Sequence, residues 1–232
     1  MRVLVVGSCG KRKRFNSPKA PTCSEITGKA DLPVWVERLS PLTCAARDMY
    51  TGNQARELGK GVALLRSIKN VEVHYYIISA GFGLLHEDEP IPPYECSFSS
   101  MRKLEIRERS RSLSIPDEFR RIISQRFDFS YIALGSKYII ALDDGWHEEL
   151  SGTIVFFGDG VAGDNLLRFP SNAEVVKAFS SAGHKIHGVA GFKGDLLRIL
   201  AQHALLLDDP YTEIANWTLP GYLTNIIKDL VR

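Results

Sequence analysis

Four short apolar runs constrain this chain of 232 residues more than any other feature. They are Val3 to Val6, VEVHYYIISA over 71–80, FSYIALG over 129–135 and GTIVFFG over 152–158. Each is rich in β-branched or aromatic residues and ends in a polar or glycine-containing loop, as strands buried on both faces do. Between them lie stretches with helical spacing: Leu58, Val62, Leu65 and Ile68 after Thr51-Gly52-Asn53, then 101–113, 116–126 and 137–142. Strands alternating with helices predict an α/β fold, a three-layer parallel or mixed sheet flanked by helices. The last third is expected to be a helical C-terminal extension, with helices over 172–181, 195–207 and 222–231. A single domain over 1–232 is the expectation, and the glycine- and lysine-rich stretch 183–194 marks the alternative boundary of a helical subdomain, 184–232.

Two long loops interrupt this pattern. Residues 11–30 are rich in Lys, Arg, Ser, Pro and Thr, and loops of that length in compact domains are often functional. Residues 81–98 combine glycines, acids and prolines and cannot stay regular for long. Between the loops, Asp31 is placed to cap a short helix containing Pro33, and a second helix is expected near Thr43. Isolated glycines at 59 and 61 weaken the helix that follows, each by about 1 kcal/mol relative to alanine.

Composition excludes more than it assigns. With 44% hydrophobic and 24% charged residues, the chain is neither disordered nor fibrous. No run approaches the length of a transmembrane helix, so no membrane partner is expected. The apolar start is too short for a signal peptide, and the cysteines at 9, 23, 44 and 96 form no CxxC pair and are too sparse for a disulfide scaffold. Together these make a reducing cytoplasm the expected location.

Five stretches carry residues suited to chemistry. Gly7-Ser8-Cys9-Gly10-Lys11-Arg12-Lys13-Arg14 follows the first strand, where open α/β sheets bind ligands. Its small residues leave backbone amides accessible and its cations suit phosphate, though the spacing is neither GxxxxGK[ST] nor GxGxxG. Cys9 is either a nucleophile beside cations or a thiol at the core edge, the second being the commoner case. Arg47 and Tyr50 are three apart and would share a helix face, Arg for a phosphate and Tyr for stacking or a hydrogen bond. The bland alternative is a surface Arg47–Asp48 pair with Tyr50 packed on the sheet. Ser79-Ala80-Gly81-Phe82-Gly83-Leu84-Leu85 and Pro92-Pro93-Tyr94-Glu95 form a strand end and a proline-fixed loop. Arg102 to Arg126 sets eight basic residues against four acids, giving either a cationic face for a phosphate backbone or a surface laced with ion pairs. Gly188 to Gly194 reads as a glycine-rich turn, with Asp195 capping the next helix. The acidic clusters at 86–89 and 143–149 lack metal-ligand spacing, and His184, His187 and His203 read as surface or packing residues, so neither metal nor cofactor is expected.

In combination, four of these segments resemble the YaaA-type family of peroxide-stress proteins and its shorter relatives. The segments are the first strand with Ser8-Cys9-Gly10-Lys11, then Asp48-Met49-Tyr50-Thr51-Gly52-Asn53-Gln54-Ala55. Ile78 to Leu85 with Pro93-Tyr94 is the third, and Leu134-Gly135-Ser136-Lys137-Tyr138 the fourth. The likeness spans residues 1–140. It departs where the family has a proline in place of Cys9-Gly10, and where this chain adds the long loop. The resemblance implies a three-layer α/β protein with a basic cleft, linked to DNA binding and to protection of DNA under oxidative stress. It implies no catalytic residue. Carried across, it gathers Ser8, Lys11, Tyr50, Ser79, Gly83, Tyr94 and Tyr138 around one cleft, beside Cys9, Lys13 and Arg47 from the reading of the residues themselves.

Two functions follow. The first is nucleic-acid association: DNA bound through a basic cleft, in protection or repair. The near-neutral net charge of +2 weighs mildly against it. The alternative is an enzyme acting on a nucleotide or nucleobase by glycosidic-bond or base-exchange chemistry, with Tyr50 and Tyr94 stacking the base and Asp48 or Glu95 as the carboxylate.

Overall fold

The computed structural model describes residues 1–149, 151–158, 163 and 165–232. Its centre is a six-stranded sheet made of β1 (Arg2–Ser8), β3 (Glu72–Ser79), β4 (Gly83–His86), β6 (Phe129–Ile132), β7 (Thr153–Phe157) and β8 (Leu166–Phe169). The order is β4-β3-β1-β6-β7-β8, with β4 antiparallel and the rest parallel. Two-residue strands β2 (Cys44–Ala45) and β5 (Pro90–Ile91) pair separately as a small antiparallel ladder.

The expected strands all form. β4 and β8 are additions, and β4 has a local cause. β4 folds straight back on β3 through Ala80-Gly81-Phe82, because the Ser79 hydroxyl accepts the amide N–H groups of Gly81 (3.1 Å) and Phe82 (2.9 Å). Gly83 then enters β4 at φ +84°, where a Cβ would stand 2.8 Å from the Leu113 carbonyl oxygen. Only glycine meets both demands.

Helices cover both faces. After β1 come α1 (Leu32–Arg38), the single turn α2 (Ala46–Met49) and α3 (Asn53–Arg66). Between β4 and β6 lie α4 (Lys103–Ser112) and α5 (Ile115–Ile123), with α6 (Ser136–Ile140) directly after β6. The C-terminal part is α7 (Ala173–Ser181), α8 (Gly188–Leu205), α9 (Pro210–Asn216) and α10 (Tyr222–Asp229). Adjacent residues of β7 show the two layers, since successive side chains of a strand point to opposite faces. Phe156 meets Trp146, which meets Phe119 of α5, while Phe157 meets Tyr131, whose hydroxyl donates to the Lys193 carbonyl in α8. Buried side chains from Val3 to Ile226 join one hydrophobic cluster, including Phe192, Leu196 and Leu200 of α8.

The glycine-rich turn expected at 188–194 is instead the first two turns of α8. Gly188 enters the helix at φ +72°, whereas Gly194 serves contact rather than turning. A Cβ on Gly194 would overlap the Gln54 carbonyl oxygen and approach Leu58 N to 3.1 Å, and on the other helix a Cβ on Gly61 would lie 2.8 Å from Leu197 Cγ. α3 and α8 thus pack backbone to backbone. Asp195 does not precede the helix either. It lies two turns inside, fully buried, with Oδ2 accepting the His187 amide N–H (2.8 Å).

Candidate functional site

The sheet order fixes where a ligand site belongs. From β1 the chain passes to β3 on one side, then returns to β6 on the other, so β1 and β6 are neighbours whose following helices diverge to opposite faces. Such a switch point leaves a crevice beyond the carboxyl ends of the two strands. Here Ser8 ends β1, Ala133-Leu134-Gly135 follow β6, and α3 and α6 begin at Gly52 and Gly135. Both N-cap glycines are extended, and a Cβ on either would meet nothing within 4 Å. Gln54, in the first turn of α3, crosses the crevice: its amide donates to the Ala133 carbonyl (3.0 Å) and to the Ser8 hydroxyl (3.4 Å).

Behind Ser8 lies a buried polar cluster. Cys9 Sγ stands 3.0 Å from the Tyr138 hydroxyl, which also donates to the Cys9 carbonyl at 3.2 Å. Tyr94 is the hub. It receives a hydrogen bond from Ser79 (2.7 Å), shares another with Tyr50 (2.8 Å), and packs so closely on Gly81 that a Cβ there would be 2.7 Å from the ring. Burial pushes the hydroxyl pKa of Tyr50, Tyr94 and Tyr138 well up, and the nearby Cys9 pushes in the same direction, so all three are neutral phenols able to donate. Lys13 is held by a backbone bridge to Tyr50 and sets its ammonium 4.3 Å from the centre of the Tyr94 ring. Burial lowers the pKa of Lys13, while Cys9 and Glu95 act to raise it.

Ser8, Cys9, Lys13, Tyr50, Ser79, Tyr94 and Tyr138 are therefore brought together, and Lys11 is exposed on the loop beside them. Gly83 belongs to the β3–β4 turn, and its conformation is a demand of the backbone. Arg47 stands apart. It pairs with Asp88 and Glu87 beyond the far end of β4, and the helix expected to align it with Tyr50 stops at Met49. Tyr50 and Tyr94 are 2% and 0% exposed, which leaves no ring face to stack on a base. Asp48 and Glu95 are exposed.

The cationic stretch 102–126 is largely spent within the protein. Arg102 pairs with Glu105, Arg107 with Asp144, Arg111 with Asp143, and Arg120 with Asp117 and Glu149. Arg109 is half-buried among carbonyls, donating to Cys23 and Ala80 (3.0 Å each), Gly81 (3.3 Å) and Ile26. That clamp ties the loop 11–30 to the β3–β4 turn. So does a disulfide between Cys23 and Cys96, with Cα atoms 4.8 Å apart, where the cysteine spacing suggested no pairing. Gln54, Arg109 and the disulfide are the parts that the sequence did not single out.

A second polar group lies between α3 and α8. Glu57, His187 and Asp195 bring ligand atoms within 4.8 Å of one another. Glu57 is already bonded to Lys60 (2.7 Å) and Arg198 (2.5 Å), and Asp195 to His187 Nδ1 (2.7 Å). Two carboxylates facing two cations are balanced without a metal, and an ion-pair network fits these contacts best. No helix among the described residues is long and apolar enough to cross a membrane. No protein-family model matches the chain and no curated protein matches it, so the likeness to the YaaA-type family stands on its four motifs.

Proposed function

We propose that the protein binds a phosphate-bearing nucleotide in the β1–β6 crevice. The observation that carries this reading is the open switch point itself: two N-cap glycines with free space beside them, bridged by Gln54 and flanked by Lys11 and Lys13. The first-turn amides of α3 lack intrahelical partners and add donors for an anion. All four motifs of the YaaA-type resemblance end at this rim of the sheet, which supports treating them as one site.

DNA is the second reading. Lys11, Arg12 and Arg14 are exposed at the mouth of the crevice, whereas most arginines of α4 and α5 are paired. Contact would then involve two or three phosphates. The test titrates a fluorescent adenosine monophosphate and a labelled duplex against wild type, Gly135→Leu and Lys11→Ala/Arg12→Ala at several salt concentrations. Gly135 has ordinary negative φ and open space, so leucine there fills the crevice without straining the fold. Saturable mononucleotide binding that Gly135→Leu removes is the expected result; binding unchanged by that variant defeats the reading. Duplex binding that is unaffected by Gly135→Leu, with a salt slope of about −2 to −3 that Lys11→Ala/Arg12→Ala reduces, supports DNA at the mouth instead.

A further inference from the structure

We propose that His187 of α8 is a ligand-binding residue of this crevice. Asp195 holds its ring so that it accepts a hydrogen bond from a sugar hydroxyl, which makes the ligand a ribonucleotide. The inference rests on the β1–β6 crevice being a nucleotide site and adds what that site selects.

Three contacts set the opening turns of α8 on the carboxyl-end rim of the sheet. The Lys193 ammonium stands 5.7 Å from the ring centre of Phe157, the last residue of β7. Ser171, just past the end of β8, donates its hydroxyl to the Val189 carbonyl (3.2 Å). A Cβ on Gly191 would lie 2.8 Å from His187 Cβ and 3.5 Å from Asn53 Cβ, so His187 and the first residue of α3 stand side by side. Gln54, the next residue of α3, is the one whose amide crosses the crevice to Ala133. His187 therefore flanks the helix start at which the phosphate is placed.

Its ring is fixed from behind. Asp195 is fully buried, and both its oxygens serve His187: Oδ2 accepts the backbone N–H at 2.8 Å, and Oδ1 accepts the ring Nδ1–H at 2.7 Å. The first bond serves the start of the helix; the second serves only the ring. A carboxylate accepts and does not donate, so this bond puts the ring proton on Nδ1 and leaves the lone pair on Nε2. Nε2 has no partner among the described residues, where the side-chain atoms buried without one are Arg107 Nε and Ser130 Oγ, so Nε2 is open to solvent. A ring clamped at one nitrogen and open at the other is an acceptor with a set direction.

The class of ligand follows from what lies next to the phosphate. In a nucleotide the sugar is attached directly to the phosphate and the base lies beyond it. With the phosphate on the first-turn amides of α3, the donor beside His187 is a ribose hydroxyl. DNA lacks one of these hydroxyls and has the other esterified, so the same acceptor disfavours a deoxyribonucleotide chain.

The test displaces the fluorescent adenosine monophosphate from the native protein with adenosine monophosphate and with dideoxyadenosine monophosphate, which lacks both ribose hydroxyls. Both titrations are repeated with His187→Phe. Loss of one hydrogen bond to a fixed acceptor should weaken the dideoxy compound on wild type by about fivefold to tenfold, whereas His187→Phe should bind the two alike. Equal affinities on wild type, or undiminished discrimination by a folded His187→Phe, overturn the inference and leave the nucleotide reading standing. Absence of adenosine monophosphate binding removes both. Footprinting of wild type keeps the assignment refutable if the variant does not fold. Diethyl pyrocarbonate acylates free imidazole nitrogens, and saturating adenosine monophosphate should suppress its reaction at His187 while leaving His86 and His203 unchanged, as read by peptide mass spectrometry. A His187 that reacts equally fast with the nucleotide bound overturns the proposal.

Discussion

The close approach of α3 and α8 can be tested with two substitutions of the same kind and opposite sign. Gly59 and Gly194 both lie inside helices, where alanine is preferred over glycine by about 1 kcal/mol. A Cβ on Gly59 meets nothing within 4 Å, so Gly59→Ala should gain most of that preference. On Gly194 the added carbon would overlap the Gln54 carbonyl and press on Glu57 Cβ and Leu58 N, each at 3.1 Å. These are largely backbone atoms of a packed helix and cannot rotate away. Separating the helices enough to admit a methyl group costs about 1–3 kcal/mol as overpacking, against the same gain of about 1. The two variants should therefore differ by about 1–3 kcal/mol. Gly61→Ala should fall between them, because its nearest obstacle, Leu197 Cγ at 2.8 Å, stands farther off than the Gln54 carbonyl oxygen does from a Cβ on Gly194. Urea denaturation followed by circular dichroism measures the differences, and for a protein of this size each kcal/mol moves the melting temperature by about 2–4 °C. A Gly194→Ala protein as stable as Gly59→Ala would mean that the helices are not in backbone contact, and would refute the account of why glycine occupies α8. Gln54 is one of the residues displaced, so Gly194→Ala should also weaken whatever the crevice binds.

Three further outcomes follow from named contacts. Arg109→Lys keeps the charge but cannot serve the carbonyls of Cys23, Ile26, Ala80 and Gly81 together, and should lower the unfolding free energy by about 2–3 kcal/mol; a melting temperature within 1–2 °C of wild type, equivalent to about 0.5 kcal/mol, would contradict it. The Cys23–Cys96 bond closes a sequence separation of 73 residues, for which chain entropy gives about 4 kcal/mol. Non-reducing peptide mapping should find the linked peptides, and a dithiol should lower the urea midpoint; free thiols at both positions in air-oxidised protein would count against the bond. Burial raises the pKa of Glu57, but hydrogen bonds and charges from Lys60 and Arg198 outweigh it and hold the carboxyl below its usual range. A depressed folded pKa contributes stability that is present above about pH 4.3 and lost as pH falls through the folded value. Glu57→Gln should accordingly flatten the acid limb of the stability–pH curve, and an unaltered limb would show that Glu57 is not paired.

How much of this the sequence revealed depended on whether the cause was local. The strands at 2–8, 72–79, 129–132 and 153–157 were legible because burial on both faces leaves a continuous apolar run. Gathering Ser8, Tyr50, Ser79, Tyr94 and Tyr138 came from the family resemblance and not from the residues themselves. What those tyrosines do came from neither. A tyrosine free to stack and one buried against another hydroxyl look the same in sequence, and only the fold shows Tyr50 and Tyr94 spending their hydroxyls on each other. Gly191 and Gly194 were misread for a similar reason, while Gly188 does take the positive φ of a turn. Glycine marks a turn when the demand is φ and a close approach when the demand is space, and the second depends on the opposing helix.

The distribution of charge bears on function more than the total does. A stretch with eight cations over 102–126 invites a polyanion, yet Arg102, Arg107, Arg111 and Arg120 face acids and Arg109 faces carbonyls. A phosphate competing for these five groups would have to break a contact for each one it made, which leaves Lys103, Arg121 and Arg126 as the exposed cations of that stretch without an ion pair among the described residues. Lys11 and Lys13 differ in place: neither forms an ion pair among the described residues, and both border the open ends of β1 and β6. Their attraction is uncancelled and confined to a small volume, which suits a compact anion with one or two charges better than a long duplex. On the proposed reading, a protein with net charge +2 would select anions through the few cations left unpaired at the switch point rather than through its total charge.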